Sequence, residues 1–299
     1  MVVRPKNPQT IKPQPHHATK TSKEMLALKL PSGQIIEAVD DRYSDRLRCD
    51  QPTTEGDGEA LGELLLDQAE RLGRGRVVAL VEGELAPGME RVGLEVEGVI
   101  PGFYGGERDC AVMGAALDEE RGRLANPVEI ARVDELLETP RGPKPRPDIE
   151  TRRATLDDAE RVARLLGEVF HDYPTPSNDP AYIRGELERG VPIRFIEQDG
   201  KLAACASADI IPVARTAELT DCATLPDHHG KGFMRAILLD LMEDLRQMNY
   251  PTAFTLARAR IPGVNIVFQR LGFEFQGRMR SSCLIGDGIE DMNILSRAL

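Results

Sequence analysis

Four prolines fall within eight residues at positions 140–147, in the run TPRGPKPRP that starts at Thr139. Neither a helix interior nor a central strand accommodates that density, because each proline removes a backbone donor and its ring clashes with the turn before it. The run is a semi-rigid linker. It splits the 299-residue chain into two folding units, the best boundary in the sequence. We expect a first unit over 37–138, the linker at 139–148 and a second unit over 149–299. Residues 1–36 carry six Lys or Arg, one acid and five prolines. That composition reads as a disordered basic arm.

The whole chain has a net charge of −11, so the part beyond the arm carries −16. Such a balance disfavours nucleic acid and suits a small cationic partner. No apolar run is long enough to span a bilayer, and no signal-peptide pattern is present. The five cysteines, Cys49, Cys110, Cys205, Cys222 and Cys283, are scattered without C-x-x-C spacing. They read as free thiols of a cytoplasmic protein, with neither a disulfide framework nor a structural metal. His228 and His229 are adjacent but lack further ligands at metal spacing. A homodimer is left open.

The second unit reads as one α/β pattern. A short strand at 151–154 precedes a capped helix with Val162, Leu165, Leu166, Val169 and Phe170 on its apolar face. A second helix follows over 179–188, then a hairpin turning at Asp199-Gly200. Next comes the run AELTDCATLPDHHGKGFM at 217–234: a strand, a proline loop, a glycine turn and a helix start. Ile237, Leu238, Leu241, Met242, Leu245 and Met248 continue that helix at its proper spacing. A strand that feeds a helix N-terminus through glycines holds phosphate, since first-turn N–H groups are free and the dipole favours an anion. The segment lacks both the Lys-Ser/Thr ending of a P-loop and the three-glycine spacing of a dinucleotide fingerprint. Further strands are expected at 252–257, 272–278 and 282–295, with a helix at 264–270.

His229-Gly230-Lys231-Gly232-Phe233-Met234 resembles the acetyl-CoA signature of the GNAT acetyltransferases, Arg/Gln-x-x-Gly-x-Gly/Ala, departing at its first and last positions. Asn265, Phe268 and then Leu271-Gly272-Phe273 resemble a second hallmark of the superfamily. More specifically, the chain resembles the β-lysine N-acetyltransferases. The matching pieces are ELTDCATLP at 218–226, TLARA at 255–259, Gly277, Gly286, EDMN at 290–293, DYPTP at 172–176 with Asp179-Pro180, and IPGFYG at 100–105. The resemblance covers roughly residues 41–299. It implies an α/β (α+β) GNAT fold, a mixed twisted sheet flanked by helices, that uses acetyl-CoA as co-substrate and needs no metal.

The first unit carries an internal echo. VGLEVEGVI at 92–100 lines up with LGFEFQGRM at 271–279, and 109–117 with 291–299. Residues 58–117, a helix at 59–72 and a strand at 77–81 included, therefore look like the second half of a GNAT fold without its CoA loop. We expect a degenerate partner domain that helps to shape the substrate pocket.

The resemblance implies roles. A lysine-type amine has a pKa of about 10.4 and must lose a proton before it attacks a thioester. Glu218 is the expected base and Asp221 the alternative, on the opposite strand face unless a bulge intervenes. Backbone amides of Cys222, Ala223, Thr224 and Leu225 are expected around the acetyl and pantetheine groups. His229, Gly230, Lys231, Gly232, Phe233 and Met234 are expected around the pyrophosphate. Asn265 and Phe268 complete the cofactor side, Phe268 standing where many relatives have a proton-donating Tyr. For the acceptor, Arg258 is the candidate for its carboxylate. Tyr173, Asp209 and Asp221 are candidates for its amines, and Ser282 lies in a Ser-Ser-Cys run where Asn-Asn-Thr is more usual. The implied reaction is acetylation of the ε-amine of β-lysine in a ternary complex, for osmolyte synthesis. Another amine acceptor (a polyamine, an amino acid or a protein lysine), or a non-catalytic CoA sensor, stays open at this stage.

Overall fold

The computed structural model describes residues 23–50, 56–139, 141–142, 145–286 and 288–299. The first half runs β1 (Lys23–Lys29), β2 (Ile35–Asp41), β3 (Arg46–Cys49), α1 (Gly58–Leu72), β4 (Arg76–Glu82), α2 (Ala86–Arg91), β5 (Glu95–Tyr104), β6 (Arg108–Ala116) and α3 (Pro127–Glu138). The second runs β7 (Arg152–Arg153), α4 (Ala159–Val169), α5 (Pro180–Glu188), β8 (Ile193–Gln198), β9 (Lys201–Ile211), β10 (Thr216–Thr224), α6 (Phe233–Gln247), β11 (Thr252–Arg258), α7 (Pro262–Arg270), β12 (Glu274–Ile285) and β13 (Gly288–Ala298).

All thirteen strands form one mixed sheet in the order β1-β2-β3-β4-β6-β5-β12-β13-β11-β10-β9-β8-β7. The order within β1 to β6 reproduces that of β8 to β13: two antiparallel neighbours, a parallel pair joined through a helix, then a closing hairpin with its strands reversed. The halves meet edge to edge where Gly98 of β5 pairs antiparallel with Gly277 of β12. Those glycines are also equivalent in the sequence echo. Only glycine fits at Gly277: its φ is +148°, and a Cβ would lie 2.1 Å from the Glu97 carbonyl oxygen. The sheet runs unbroken past the proline linker, so the boundary read from the linker is a chain boundary and not a gap in the architecture.

Local chemistry explains the elements. Asp57 caps α1 by accepting from the Glu59 N–H, and Gly73 ends it in the left-handed region. Every residue of β4 is buried, as a strand covered on both faces requires. Helices α1 and α2 cover one core, α6 and α7 a second, and α4 and α5 a third. A fourth core lies between the halves and joins Val78, Leu80 and Phe103 to Phe254, Met279 and Ile294. Cross-links tie them further: the Gly105 N–H donates to Ala214 O at 2.7 Å, and Arg278 makes two bonds to Asp134 at 2.6 and 3.1 Å.

Two expectations need correction. The arm expected through residue 36 stops earlier, since residues 23–29 form β1 and residue 35 opens β2; the alternating apolar positions Leu26, Leu28 and Ile36 reach the core. The rest of the arm, 1–22, lies outside the described residues, as do Pro140, Pro143 and Lys144 of the linker. The strands expected at 272–278 and 282–295 are instead the hairpin β12–β13, which turns near Gly286. The break foreseen near 280 is a bulge within β12, where Ser281 takes φ +39° and its N–H donates to Asp291 at 2.8 Å.

Candidate active site

Strand β10 carries the chemistry because of a defect in its ladder. Its pairing with β9 slips between Thr220 and Ala223, and Asp221 sits at φ +52°. A regular strand would turn Asp221 away from Glu218. The bulge brings both carboxylates onto one cavity of about 290 Å³. Tyr173, Tyr182 and Glu186 line the same cavity from α5 and the loop before it, Ser207 and Asp209 from β9, and Ser282 from β12.

Crowded, desolvated acids resist ionisation. Burial pushes the Glu218 carboxyl up to about 7; Arg48 opposes the shift, and Asp209, Asp221 and Asp50 add to it. Burial likewise lifts Asp221 to about 6, against the hydrogen bond from Ser207 Oγ at 2.8 Å. Asp209, opposite Glu218 in the ladder, is raised by burial and by Glu186. The Tyr173 phenol is pushed well up by burial and by Asp221, so it keeps its proton. A carboxylate that titrates near neutrality beside further acids can bind an ammonium and accept its proton.

A second cavity, of about 500 Å³, opens on the other side of β10. The parallel pairing of β10 with β11 covers only residues 216–218, after which the strands diverge. Cys222 and Thr224 face this cavity, together with His228, His229, Gly230, Gly232, Phe233, Met234 and the apolar side of α7. Helix α6 opens here. Gly232 at its N-cap is left-handed, φ +86°, and no side chain caps the helix. Its first-turn amides thus have no partner within the helix. Arg235 and Arg270 stand in the same wall, and Arg235 Nη1 is buried without a hydrogen-bond partner. Free amides, an unsatisfied guanidinium and an apolar flank fit a pyrophosphate with a pantetheine arm. His229 Nε2 lies 2.9 Å from Thr224 O, which braces the loop.

Several expected site residues take other roles. The Leu225 N–H already donates to Ala203 O at 2.9 Å. Lys231 lies outside the cavity wall, its Nζ 3.0 Å from His228 Nδ1. Asn265 is fully buried; its amide donates to Arg258 O and Ile261 O, and its Oδ1 accepts from Asn293. Phe268 is fully buried and packs edge-on against Phe273. Both are internal supports of α7 and do not line the cavity. Arg258 is held by Glu290, two residues beyond the cavity-lining Leu256, and stands outside the cavity of Glu218 and Asp221. Cys222 lines the second cavity, but burial, Asp221 and Glu218 push its thiol up, so it stays protonated and is a poor nucleophile.

The first half supplies what sequence reasoning missed. Lys23, Arg46, Arg48 and Asp50 all line the cavity that holds Glu218 and Asp221. Arg46 is locked in place, its Nε 2.9 Å from Asp41 and its Nη1 2.9 Å from Ser282 O. The signal was present in β3, RLRC, whose two arginines alternate with the core residues Leu47 and Cys49. Among the described residues, no group of three or more His, Cys, Asp or Glu side chains is placed to hold a metal, and no helix is long and apolar enough to cross a membrane.

A sequence profile of the Acetyltransferase (GNAT) family matches residues 158–273. The chain is 40% identical over 148 residues to a β-lysine N(6)-acetyltransferase of Methanosarcina mazei, a match spanning 50% of this chain and 55% of that protein. It is 32% identical over 209 residues to the N-acetyltransferase YodP of Bacillus subtilis, covering 68% and 74% of the two chains. It is 28% identical over 222 residues to a β-lysine N(6)-acetyltransferase of Methanococcus maripaludis, covering 73% and 80%.

Proposed function

Because the chain belongs to the GNAT acetyltransferase family, we propose that it transfers the acetyl group of acetyl-CoA to the ε-amine of β-lysine or a similar small diamino acid. The observation that carries this reading is Glu218 in the acid-rich cavity of β10, held near 7 by burial. Acetyl-CoA supplies an electrophilic thioester carbonyl and a thiolate leaving group. Its pyrophosphate falls to the α6 N-terminus, Arg235 and Arg270, and its pantetheine arm to the splayed side of β10 near Cys222 and Thr224.

Glu218 takes the proton from the acceptor ammonium, directly or through one water, and so creates the nucleophile. Asp221, oriented by Ser207, holds positive charge beside it. Phe268, sealed in the core, has no proton to give the leaving thiolate, which leaves that proton to solvent. The two cavities flank a single strand, which supports direct attack in a ternary complex without an acyl-enzyme. The names carried by two relatives support β-lysine as acceptor. Acetylation removes one charge from a small zwitterion, which suits a compatible solute; that role is part of the proposal.

The test is CoA release from acetyl-CoA by the purified protein with β-lysine, α-lysine and spermidine, together with Glu218→Gln. The expected result is turnover with β-lysine that falls on the order of 100-fold or more in the variant. Turnover with spermidine alone, or undiminished rates in Glu218→Gln, would overturn the acceptor or the base respectively.

A further inference from the structure

Arg48 occupies in the first half the register position that Glu218 occupies in the second. Within the parallel pair β3–β4, Arg48 stands opposite Val78; within β10–β11, Glu218 stands opposite Phe254. The equivalence extends across each half, since Arg76 pairs with Ala116 as Thr252 pairs with Ala298. Both side chains line the one acceptor cavity. At the seat of the base, the degenerate half carries a guanidinium.

That guanidinium is available. Its Nε lies 2.5 Å from Asp50 Oδ2, its side chain is 24% exposed, and among the described residues no hydrogen bond engages its Nη atoms. The other arginines nearby are committed: Arg46 to Asp41 and Ser282, Arg258 to Glu290. Asp50 pairs with the guanidinium on its Nε side without a hydrogen bond to Nε, and the planar Nη fork is the edge that a carboxylate matches bidentately. The opposite wall, Glu218 with Asp221 and Asp209, suits ammonium groups.

We infer that Arg48 receives the carboxylate of a zwitterionic amino-acid acceptor, whose amines face Glu218 and Asp221 across the cavity shared by the two halves. The inference rests on amine acetylation as proposed above and adds a selection rule. An amine without a carboxylate leaves the Nη edge of Arg48 without a partner, so diamines are disfavoured. The degenerate half is then a specificity element that the catalytic half lacks by itself.

The experiment compares β-lysine with pentane-1,4-diamine, its counterpart without the carboxylate, in the wild type, Arg48→Ala and Arg48→Lys. The wild type is expected to prefer β-lysine. Arg48→Ala lowers kcat/KM for β-lysine about 100-fold, mostly through KM, and leaves KM for acetyl-CoA within about twofold. Rates with the diamine stay the same or rise, so the preference collapses, and Arg48→Lys restores part of it. An equal loss on both acceptors, or an unchanged preference, overturns the inference, as does a wild type that favours the diamine. If α-lysine is the accepted substrate, β-lysine falls as acceptor, and the Arg48 comparison is read on α-lysine against cadaverine. If nothing turns over, calorimetric binding of β-lysine and the diamine to the CoA-bound protein gives the same comparison, and no binding of either overturns the inference. Unfolding midpoints of the variants separate a lost contact from a lost fold.

Discussion

Glu218 is held where its charged form is least comfortable, and stability must record that. Burial raises its carboxyl from 4.5 to about 7. Between those values the unfolded chain has released the proton while the folded chain keeps it, so stability falls as pH rises through this window. Glu218→Gln removes the cost. We expect the variant to unfold at a higher temperature than the wild type at pH 8, with the gap closing near pH 5; thermal scans at the two values check it. As the proposed base, the same group is expected to set the acid limb of activity. The kcat/KM profile is expected to rise through an apparent pKa of about 7, and Asp221, near 6, makes that a property of the pair. A limb below 5 would remove Glu218 as the base.

Elements decided what the residues alone left open. The glycine turn before α6 is legible in the chain because a left-handed N-cap has a compositional signature. The bulge in β10 is not, because it depends on how β9 pairs with β10 and not on which residues β10 contains. Asn265 and Phe268 are expected at the site from the family resemblance, yet both are buried on the inner face of α7. Arg258 fails for a similar reason: its counterion, Glu290, belongs to a strand 32 residues on. The β5–β12 seam has a sharper test. Gly277→Ala forces a side chain at φ +148° into the Glu97 carbonyl, at a cost of roughly 3 kcal/mol or more. A fall of roughly 5 °C or more in the unfolding midpoint is the expected readout. A neutral substitution would mean that the seam is not closed.

At the scale of the whole molecule, the halves are joined by more than the linker. The seam, the core between the halves and the α3 contacts, among them Gln269 Nε2 to Leu137 O at 2.7 Å, bridge the halves without it. Limited proteolysis within 139–148 is expected to leave both fragments in a single particle on size-exclusion chromatography; separation of the fragments would show that the linker carries the association. The echo between the halves is readable from glycines and apolar positions, because these serve the fold. What lies beyond the echo is the meeting of the two halves at one cavity, since it depends on the long-range β5–β12 pairing that the local sequence does not encode.

A duplicated trough would offer a symmetric guest two equivalent seats. The exchange of a carboxylate for a guanidinium at matched rungs of the ladder gives the trough a direction. With Arg48 holding the acid as inferred above, a linear molecule with an acid at one end and amines along its length would have one way to lie in it, its amines toward the carboxylates of β10. The orientation of the guest would then be a consequence of sheet register.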